Sequence, residues 1–250
     1  MEPETYREQF ELEDEHWWFK GRRAVIWSLL RPLDATGPLR VLDAGCGTGR
    51  NLIEFRSLGP VSGVDTSPEA LNFCRERGID DVRSGSLDAL PFGDAAFDLI
   101  LATDVIEHLR DDHLALRELR RVSAPSGHLL LTVPAYQWLW SEHDDAHHHF
   151  RRYTLRQLRQ RLRGAGWSPV SWSYFNTTLL PAVAAVRLVS RLRPNQGGAR
   201  PRSNVQPTPA PINRLLEAPM RLEARLIAQG AHLPAGVSIG MLCSTASKHP

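Results

Sequence analysis

The sequence predicts an α/β protein with a seven-stranded, mostly parallel sheet and helices on both of its faces. Between residues 39 and 134, short apolar runs alternate with amphipathic stretches, and two more apolar runs follow towards the carboxyl end. Strands and helices that alternate in this way form βαβ units, whose crossover helices cover a parallel sheet.

Most of the predicted strands are short runs rich in Val, Ile and Leu. In chain order the seven cover residues 39–45, 60–65, 80–85, 97–104, 127–134, 167–175 and 237–247. The predicted helices lie at 16–30, 49–59, 67–78, 111–127, 154–167, 178–192 and 212–229. Ser67 and Thr154 stand where helix caps are needed. The core-facing side of helix 111–127 is predicted from apolar residues at helical spacing, namely Leu114, Leu116, Leu119 and Val122.

The chain is predicted to form one domain, because 250 residues are enough for a single large core. Its predicted parts are amino-terminal cap helices (1–36), a core (37–134), a loop, helix and strand (135–176), a helical insertion (177–236) and a last strand with its tail (237–250). Within the insertion, residues 194–211 contain five prolines and two glycines without periodicity, which predicts a mobile linker.

The cysteines argue against a secreted or zinc-stabilised scaffold. Cys46, Cys74 and Cys243 are odd in number, widely spaced and without a C-x-x-C pair. No uncharged apolar stretch reaches about 18 residues, and residues 1–16 are acidic and lack the apolar segment of a signal peptide. We therefore expect a cytoplasmic protein that is neither exported by a signal peptide nor membrane-spanning.

Charge is unevenly distributed along the chain. Residues 1–150 carry 15 Lys and Arg against 26 Asp and Glu, whereas residues 151–250 carry 15 against two. A basic half can attract an anionic partner, such as a phosphorylated substrate or a lipid headgroup. Because 28 of the 30 basic residues are Arg, part of this excess can reflect genome composition.

The segment VLDAGCGTGR, residues 41–50, carries the clearest chemical signal. A predicted strand ends at Asp43, and glycines at 45, 47 and 49 let the backbone turn sharply and approach a ligand closely. The helix that follows presents free N–H groups at the same place. The spacing G-x-G-x-G, with Arg50 at the sixth position, departs from the G-x-G-x-x-G of dinucleotide-binding proteins.

Together with three later motifs, this segment resembles class I S-adenosylmethionine-dependent methyltransferases of the broad type 11/12 group. The later motifs are GVD ending at Asp65, GSLDALPF at 85–92 and FDLILATDVIEHL at 97–109. The resemblance implies a three-layer Rossmann-like fold, S-adenosylmethionine as methyl donor and S-adenosylhomocysteine as product. It also implies that a helical insertion separates two strands that usually form a tight hairpin.

The resemblance assigns cofactor contacts residue by residue. The glycine loop, with Asp43, Gly45, Cys46, Gly47 and Gly49, corresponds to the segment that wraps the methionine part, and Asp43 would attract its ammonium. Asp65, followed by Thr66, would accept the ribose hydroxyls. The family usually has an acid where this chain has Ser86, so the adenine is held either by Ser86 and the Leu87 amide or by Asp88. Thr103 would contribute on the methionine side.

Two other segments keep two interpretations each. Asp104, Glu107 and His108 either form a polar helix start or aim a group at the active site. The amino-terminal helix, which resembles a cap over the cofactor pocket, either contributes Trp18 and Arg22 to that pocket or docks on the sheet through its apolar residues.

The insertion contains two helices with apolar faces edged by arginine. The second places Ile212, Leu215, Leu216, Leu222 and Leu226 on one stripe, with Pro219 as an expected kink. Such faces suit peripheral contact with a membrane surface or a lipid-like substrate through residues 177–230. The alternative is a helical lid packed on its own domain, and a lid beside a membrane would satisfy both descriptions.

The stretch HDDAHHHFRRYT, residues 143–154, follows the fifth predicted strand and faces the reaction in this fold. Adjacent histidines at 147, 148 and 149 point in divergent directions and no helix is predicted there, so no metal site is expected. The stretch resembles a segment of related methyltransferases that reads His-Asp, a short gap, then His-x-Arg-Arg-Tyr. On that pattern His143 or His149 is a proton acceptor held by Asp144, and Arg151, Arg152 and Tyr153 bind an anionic part of the acceptor.

These observations predict an S-adenosylmethionine-dependent methyltransferase acting on oxygen of a small-molecule, glycan or lipid-linked acceptor. A nucleic-acid substrate is not expected, because there is no N/D-P-P-Y-type motif and no interleaving of basic and aromatic residues. The alternatives are a cofactor-binding protein without catalysis and, on a different cofactor, a nicotinamide oxidoreductase. The sequence does not define the oligomeric state.

Overall fold

The computed structural model describes residues 3–33, 37–192 and 207–245, and its centre is one seven-stranded sheet. The strands are β1 (Val41–Ala44), β2 (Val61–Asp65), β3 (Val82–Ser84), β4 (Phe97–Thr103), β5 (Ser123–Pro134), β6 (Trp167–Phe175) and β7 (Ser238–Thr245). Their order is β3-β2-β1-β4-β5-β7-β6, in which β1 to β5 are parallel and β7 is antiparallel to both of its neighbours. The predicted fold class is confirmed.

The helices lie on both faces of this sheet. They are α1 (Pro3–Leu12), α2 (Trp17–Leu30), α3 (Arg50–Phe55), α4 (Pro68–Glu76), α5 (Asp112–Val122), α6 (Glu142–Ala146), α7 (Leu155–Gly164), α8 (Leu180–Leu192) and α9 (Ala210–Ala228). The caps fall where the sequence predicts, since Ser67 Oγ accepts from the Ala70 amide and Thr154 Oγ1 from the Gln157 amide. None of the described helices is long and apolar enough to cross a membrane.

The amino-acid pattern explains the two cores. Strands β1, β4 and β5 bury side chains on both faces, as a central parallel sheet requires. One core lies under α5 and α7, with Leu116, Leu119 and Leu158. The other lies under α2 and α9, with Ile26 and Met220. Arg22 of α2 contacts Asp104 directly after β4, so α2 also reaches the carboxyl ends of the strands, where ligands bind in such sheets.

Helix α5 ends earlier and faces differently from the prediction. The predicted helix 111–127 stops at Val122, because Ser123 pairs with Phe97 in the sheet and Pro125 cannot continue a helix. Leu114, predicted to face the core, is 37% exposed. It lies about 100° around the helix from Ala115, which is buried in its place.

The predicted apolar stripe of α9 faces solvent rather than the domain. Ile212, Leu215, Leu222 and Leu226 are all exposed. The buried side instead carries Met220, whose side chain lies against Gly21 of α2, and Glu223, which accepts from the Asn176 and Thr178 amides. Pro219 lies inside the helix, as expected.

Two further segments differ from their predicted secondary structure. The predicted linker, 194–211, lies mostly outside the described residues, and its last two residues are helical because α9 begins at Ala210. Residues 142–146, where no helix was predicted, form the short helix α6, because Ser141 and Asp144 make a capping box that nucleates a single turn and more.

Candidate active site

A cleft of about 550 Å³ opens at the carboxyl ends of the parallel strands. Its wall combines loops after β1, β2, β3, β4 and β5 with α1 and α2. The predicted site residues in this wall are Trp18, Arg22, Gly45, Cys46, Gly47, Asp65, Thr66, Ser86, Leu87, Thr103, His143, His149 and Arg152. Outside it lie Asp43, Gly49, Asp88, Asp144, Arg151 and Tyr153.

The glycine loop holds Asp65 by its backbone. Gly45 has φ +80°, and a Cβ there would lie 2.5 Å from Val105 Cγ2. The Gly47 amide donates to Asp65 Oδ2 at 2.9 Å, and the Ser67 amide donates to Oδ1 at 2.9 Å. Each carboxylate oxygen keeps a second lone pair, so Asp65 can still accept two hydroxyl groups from a ligand in the cleft.

Asp43 and Gly49 support the loop from behind. Asp43 is fully buried, and its carboxylate accepts no hydrogen bond from the described part of the chain. Burial raises the pKa of this carboxyl to about 7, and the nearby Arg22 opposes the rise. Gly49 has φ +83° and caps α3, and a Cβ there would lie 2.9 Å from Cys74 Sγ. The two residues therefore set the electrostatics and packing of the loop rather than its surface.

Helix α2 contributes to the cleft but not as a free cation. Arg22 Nη1 lies 2.5 Å from Asp104 Oδ2, in the turn after β4. Asp104 has φ +55° and also accepts from Thr132 Oγ1 at 3.0 Å. Trp18 stacks on Phe175 with ring centroids 6.3 Å apart. Both sequence interpretations of this helix hold, since it lines the cleft and docks on the sheet.

The turn after β3 contains both candidates for an adenine contact, and they lie in different places. Ser86 and Leu87 lie in the wall, whereas Asp88 is exposed and outside it. The Asp88 amide donates to Ser86 Oγ at 3.3 Å, which closes a tight turn at this point. Ser86 and the Leu87 amide are therefore the groups that can meet a base here.

At the opposite end of the cleft, Asp144 organises a buried charged network. Arg152 donates to both carboxylate oxygens, from Nε at 2.8 Å and from Nη2 at 2.9 Å. His149 Nδ1 lies 2.9 Å from Asp144 Oδ1, and the Ser141 amide donates to Oδ2. Although burial raises the pKa of Asp144, the hydrogen bonds from His149 and Arg152 outweigh it and hold that pKa well below its ordinary value.

The rings of His143 and His147 pack against each other in the same wall, tilted by 40°. Their ring centroids are 4.1 Å apart, and His147 Nδ1 donates to the His143 carbonyl at 2.9 Å. Burial lowers the pKa of His143 to about 3, which makes it a weak base at neutral pH. His147, treated in the sequence as a variable gap position, lines the cleft because α6 brings it one turn from His143, while His148 is exposed.

Glu107 and His108 enter the site from the turn after β4. Glu107 is fully buried, and neither carboxylate oxygen accepts a hydrogen bond from any residue that the structure describes. Burial raises the pKa of Glu107 well above its ordinary value. Burial and the neighbouring His149 lower the pKa of His108 to about 4. Of the two sequence interpretations of this motif, the structure supports the one that aims it at the cleft.

The two polar segments are joined by a backbone hydrogen bond. The Phe150 amide donates to the Glu107 carbonyl at 2.8 Å, and the rings of His108 and His149 meet edge to face with centroids 4.6 Å apart. One ligand atom from each of Glu107, His108 and His149 lies within 4.8 Å of the other two. One sequence signal could have predicted this meeting. The motif D-V-I-E-H follows the fourth strand, and the carboxyl ends of the fourth and fifth parallel strands lie at the same edge of the sheet.

Arg151 and Tyr153 do not reach the cleft as the sequence pattern suggested. The Tyr153 hydroxyl donates to Asp112 Oδ2 at 2.8 Å, and Arg151 Nη1 lies 3.0 Å from the same oxygen. Asp112 is buried and also pairs with Arg161. Arg151 thus neutralises a buried acid between α5 and α7, to which Tyr153 adds a hydrogen bond, and Arg152 is paired with Asp144. Neither arginine is therefore left as an unpaired cation for an anionic acceptor.

The cleft suits S-adenosylmethionine in shape and in chemistry. Its volume lies in the range of small-molecule sites. A glycine surface for close approach, the Asp65 acceptor and the unpartnered Asp43 carboxylate near the loop match the backbone, hydroxyl and ammonium groups of that cofactor. The remaining wall, around His149 and Glu107, is left for a second molecule.

Comparison with known proteins agrees with this geometry. Residues 42–131 match the methyltransferase domain family. The malonyl-[acyl-carrier protein] O-methyltransferase of Erwinia pyrifoliae is 43% identical over 97 residues, which cover 38% of this chain and 37% of that protein. For this relative and seven other curated matches, the chain covers between 36% and 56% of their length.

Solved structures extend the similarity of fold to almost the whole chain. A chain of the Haloferax volcanii complex between the Trm112 methyltransferase activator and a candidate methyltransferase has a TM-score of 0.62 at 19% identity, covering 98% of this chain and 95% of its own. The 1,6-didemethyltoxoflavin-N1-methyltransferase of Burkholderia thailandensis, solved with S-adenosylhomocysteine, has a TM-score of 0.52 at 20% identity, covering 91% and 79%. The chain therefore has the class I methyltransferase fold, and residues 42–131 match the methyltransferase domain model, which confirms the resemblance drawn from the four motifs.

Proposed function

We propose that the chain transfers a methyl group from S-adenosylmethionine to an oxygen atom of an acceptor bound at the His149 end of the cleft. The observation that carries this proposal is the continuity of one cleft between Gly47 with Asp65 at one end and His149, which Asp144 holds from behind, at the other. A donor held at the first end would present its reactive group towards an acceptor at the second.

The cofactor would be held by groups that match its parts. Gly45, Cys46 and Gly47 offer backbone to the methionine part, Asp65 accepts the ribose hydroxyls, and Ser86 with the Leu87 amide meets the adenine. Asp43 and the wall residue Thr103 complete the methionine side. When bound, S-adenosylmethionine supplies an electrophilic methyl group on sulfur, so the protein has to align the acceptor and exclude water.

His149 is the residue that we assign to activation of the acceptor oxygen. Its Nδ1 atom is fixed by Asp144, which leaves Nε2 free of that carboxylate, and the His149 side chain lines the cleft beside Glu107. His143 is the weaker candidate because its pKa is lowered to about 3. Asp144 acts as a positioning residue, since it is buried behind the wall and touches no ligand.

The acceptor class follows from the space beside His149. We propose a small-molecule, glycan or lipid-linked acceptor that carries a hydroxyl or carboxyl oxygen. An O-methyltransferase among the relatives supports oxygen as the methylated atom. Because the match covers little more than a third of either protein, its acceptor is not carried over to this chain.

Cofactor binding is tested first, by isothermal calorimetry with S-adenosylhomocysteine. We expect one site per chain, an affinity at least about tenfold weaker in Asp65→Asn, and no change in Asp88→Asn, whose side chain lies outside the cleft wall. A response to NAD with none to S-adenosylhomocysteine would overturn the proposal in favour of an oxidoreductase.

Catalysis is tested by transfer of a labelled methyl group to lipid, glycan and small-molecule fractions. With the acceptor in hand, His149→Ala should lower turnover by at least about 100-fold while leaving S-adenosylhomocysteine affinity unchanged. His148→Asn, at the exposed neighbouring position, is the control and should keep full turnover. Cofactor binding without label in any fraction would favour a binding protein that lacks catalysis.

A specific surface favours peripheral membrane contact, which bears on a lipid-linked acceptor. On α9, Ile212, Leu215, Leu222 and Leu226 are exposed, and the exposed residues Arg214, Arg221 and Arg225 flank them. Val186, Leu188 and Val189 are likewise exposed on α8. We propose that this face lies on an anionic bilayer, with apolar side chains in the interface and arginines on the headgroups.

Vesicle sedimentation tests this contact. The chain should bind vesicles with anionic lipid more than neutral vesicles, and Leu215→Ser with Leu222→Ser should weaken binding by at least about tenfold. Val170→Ser, at an exposed apolar position on β6, is the matched control. Equal binding by both variants would exclude this surface as the contact.

A further inference from the structure

We propose that Glu107, His108 and His149 form a site for a divalent transition-metal ion, such as Zn²⁺, at the acceptor end of the cleft. One ligand atom from each residue lies within 4.8 Å of the other two. All three side chains line the cleft, so an ion bound among them would meet a molecule bound there. The inference rests on the proposed function for the role of the ion, but not for its binding.

Glu107 provides the strongest argument for a cation. It is fully buried, and neither carboxylate oxygen receives a hydrogen bond from the part of the chain that the structure describes. The arginines of the region are engaged elsewhere, Arg22 with Asp104 and Arg152 with Asp144. A buried carboxylate with no donor is costly unless it is neutralised, and a bound cation neutralises it directly.

His149 has the support that metal-binding histidines have. Its Nδ1 atom faces the Asp144 carboxylate at 2.9 Å, which places the proton on Nδ1 and leaves the Nε2 lone pair for an ion. Asp144 is itself fixed by both guanidinium contacts of Arg152. A carboxylate behind a ligating histidine orients the ring and raises its basicity, and this is the usual second layer of a metal site.

The two ligand segments are held in place before any ion arrives. The hydrogen bond from the Phe150 amide to the Glu107 carbonyl locks the segment after α6 against the turn after β4. The rings of His108 and His149 already meet edge to face, 4.6 Å between centroids. The ligand atoms, already within 4.8 Å of one another, would have to draw together for a coordination sphere with bonds of about 2.1 Å.

The histidine run is therefore not the ligand set by itself. His147 packs against His143 with its ring tilted, and His148 is exposed, so His149 is the member of the run that joins Glu107 and His108 in the proposed site. The divergent directions of neighbouring side chains argue against a site made from 147–149 alone. The proposed site instead takes two of its three ligands, Glu107 and His108, from the turn after β4.

The donor set selects the class of ion. Two imidazoles and one carboxylate suit Zn²⁺ and neighbouring transition metals, whereas Mg²⁺ and Ca²⁺ prefer sets made of oxygen alone. Three protein ligands leave a coordination position open towards the cleft, as in catalytic zinc sites. An acceptor hydroxyl bound at that position would lose its proton more readily.

When the ion is bound, His149 coordinates it and does not accept the proton of the acceptor hydroxyl. The acceptor hydroxyl releases its proton to water, its oxygen forms a bond to the methyl carbon, and the carbon–sulfur bond breaks with both electrons going to sulfur. The products are the methylated acceptor, neutral S-adenosylhomocysteine and one proton. The balance needs no further reactant.

Metal binding is tested without any acceptor. Protein freed of metal by a chelator is titrated with Zn²⁺ by calorimetry and, separately, with Co²⁺ by visible absorption. We expect one high-affinity site per chain and the intense absorption bands of a four- or five-coordinate Co²⁺ site. Glu107→Gln and His149→Asn should each weaken Zn²⁺ binding by at least about 100-fold, in line with loss of a ligand.

Controls separate this site from incidental binding. His148→Asn replaces an exposed histidine and His113→Ala a half-buried one that lies outside the cleft wall, and both should leave the Zn²⁺ affinity unchanged. Circular dichroism and S-adenosylhomocysteine titration show whether Glu107→Gln and His149→Asn remain folded, and His108→Ala serves as a third ligand variant if one of them does not. Binding that survives all three ligand substitutions would overturn the proposal.

The two proposals fail in different ways. If S-adenosylhomocysteine binds and methyl transfer continues undiminished in chelator, the metal site is wrong and His149 acts as a direct base. If Zn²⁺ binds at these three residues but S-adenosylhomocysteine does not, the proposed function is wrong and the metal site stands. Loss of methyl transfer in chelator, restored by Zn²⁺ but not by Mg²⁺, supports both.

Discussion

The two ends of the cleft are built from different kinds of interaction. At the cofactor end, the backbone provides the geometry, through positive φ at Gly45 and Gly47 and amide contacts from Gly47 and Ser67 to Asp65. At the acceptor end, buried charged side chains provide it, with Asp144 holding His149 and Arg152 together. The first end depends on residues adjacent in sequence, whereas the second depends on partners from separate segments.

This difference predicts where each end is vulnerable. A backbone surface tolerates changes in surrounding side chains but not an added Cβ on the glycines themselves. A buried charged network tolerates little loss, because each removed partner leaves another charge unpaired in a region of low dielectric. Substitutions at the acceptor end should therefore reduce stability, and substitutions at the cofactor end should mainly reduce binding.

The largest effect is expected for Asp144→Asn. The substitution leaves the buried Arg152 guanidinium without its counter-charge, so the free energy of unfolding should fall by about 3–5 kcal/mol. Urea unfolding at neutral pH measures the loss. Asp145→Asn is the matched control, because that exposed side chain accepts only from Trp140 on the surface, and it should cost less than about 0.5 kcal/mol. Equal losses for the two variants would contradict a network role for Asp144.

At the cofactor end, Gly45→Ala should act on binding instead. The new Cβ would meet Val105, and alanine would have to adopt φ near +80°, so the loop should shift at a cost of about 2 kcal/mol. We expect S-adenosylhomocysteine affinity to fall by about 10- to 100-fold in calorimetry. Gly93→Ala, where no atom lies within 4 Å of the added Cβ, should bind normally. Unchanged affinity in Gly45→Ala would mean that the loop does not approach the ligand closely.

The same difference explains how much could be predicted from the sequence. The glycine loop, Asp65 and the order of strands follow from local patterns, because turns, caps and βαβ crossovers are set by residues close together in the chain. Seven strands were predicted near their observed places. Among the cofactor residues, only Asp43, Gly49 and Asp88 fall outside the cleft wall, and the first two act directly behind it.

The acceptor end could not be predicted in this way. Arg152 binds Asp144, and Tyr153 binds Asp112, which lies 41 positions away in sequence. A motif containing arginine and tyrosine indicates an anion site only if its charges are free, and their partners become visible only after folding. Glu107 illustrates the converse, since its lack of any partner is a property of the packed turn and not of the motif D-V-I-E-H.

The side on which α9 packs could not be predicted from the sequence, for a related reason. Helical spacing shows that an apolar face exists but not which face the domain covers. Here Met220 packs on Gly21, and Glu223 satisfies two amides after β6, so a side that contains two acids is buried. Tertiary contacts outweighed the hydrophobic pattern, and the apolar face was left for another surface.

A smaller effect is expected for Tyr153→Phe, which tests how far the acceptor-end network extends. The change removes a hydrogen bond to the buried Asp112 carboxylate, which keeps Arg151 and Arg161 as partners. We expect the free energy of unfolding to fall by about 1–2 kcal/mol, because a charged acceptor loses one of its donors without losing its counter-charge. Affinity for S-adenosylhomocysteine should not change. A weaker affinity for S-adenosylhomocysteine would connect Tyr153 to the cofactor end and contradict the distinction between the two ends.

The smallest effect is expected for Asp98→Asn, a surface reference for both ends. Arg40 donates to Asp98 from Nε at 2.9 Å and from Nη2 at 2.8 Å, and these hydrogen bonds hold the pKa of Asp98 below its ordinary value. A carboxyl with a lowered pKa stabilises the folded state above its unfolded pKa of about 4 and loses that contribution as the pH falls through the folded value. Because the pair is exposed, Asp98→Asn should cost only about 0.2–1 kcal/mol at neutral pH, and added salt should reduce the cost. Urea unfolding at about pH 7 and about pH 3 should show the gap between the variant and the unchanged protein narrowing at the lower pH. A loss of unfolding free energy above about 2 kcal/mol, or one that does not depend on pH, would contradict this expectation. It would mean that an exposed ion pair stabilises this fold as strongly as the buried Asp144–Arg152 pair, so that surface and acceptor-end charges would not differ.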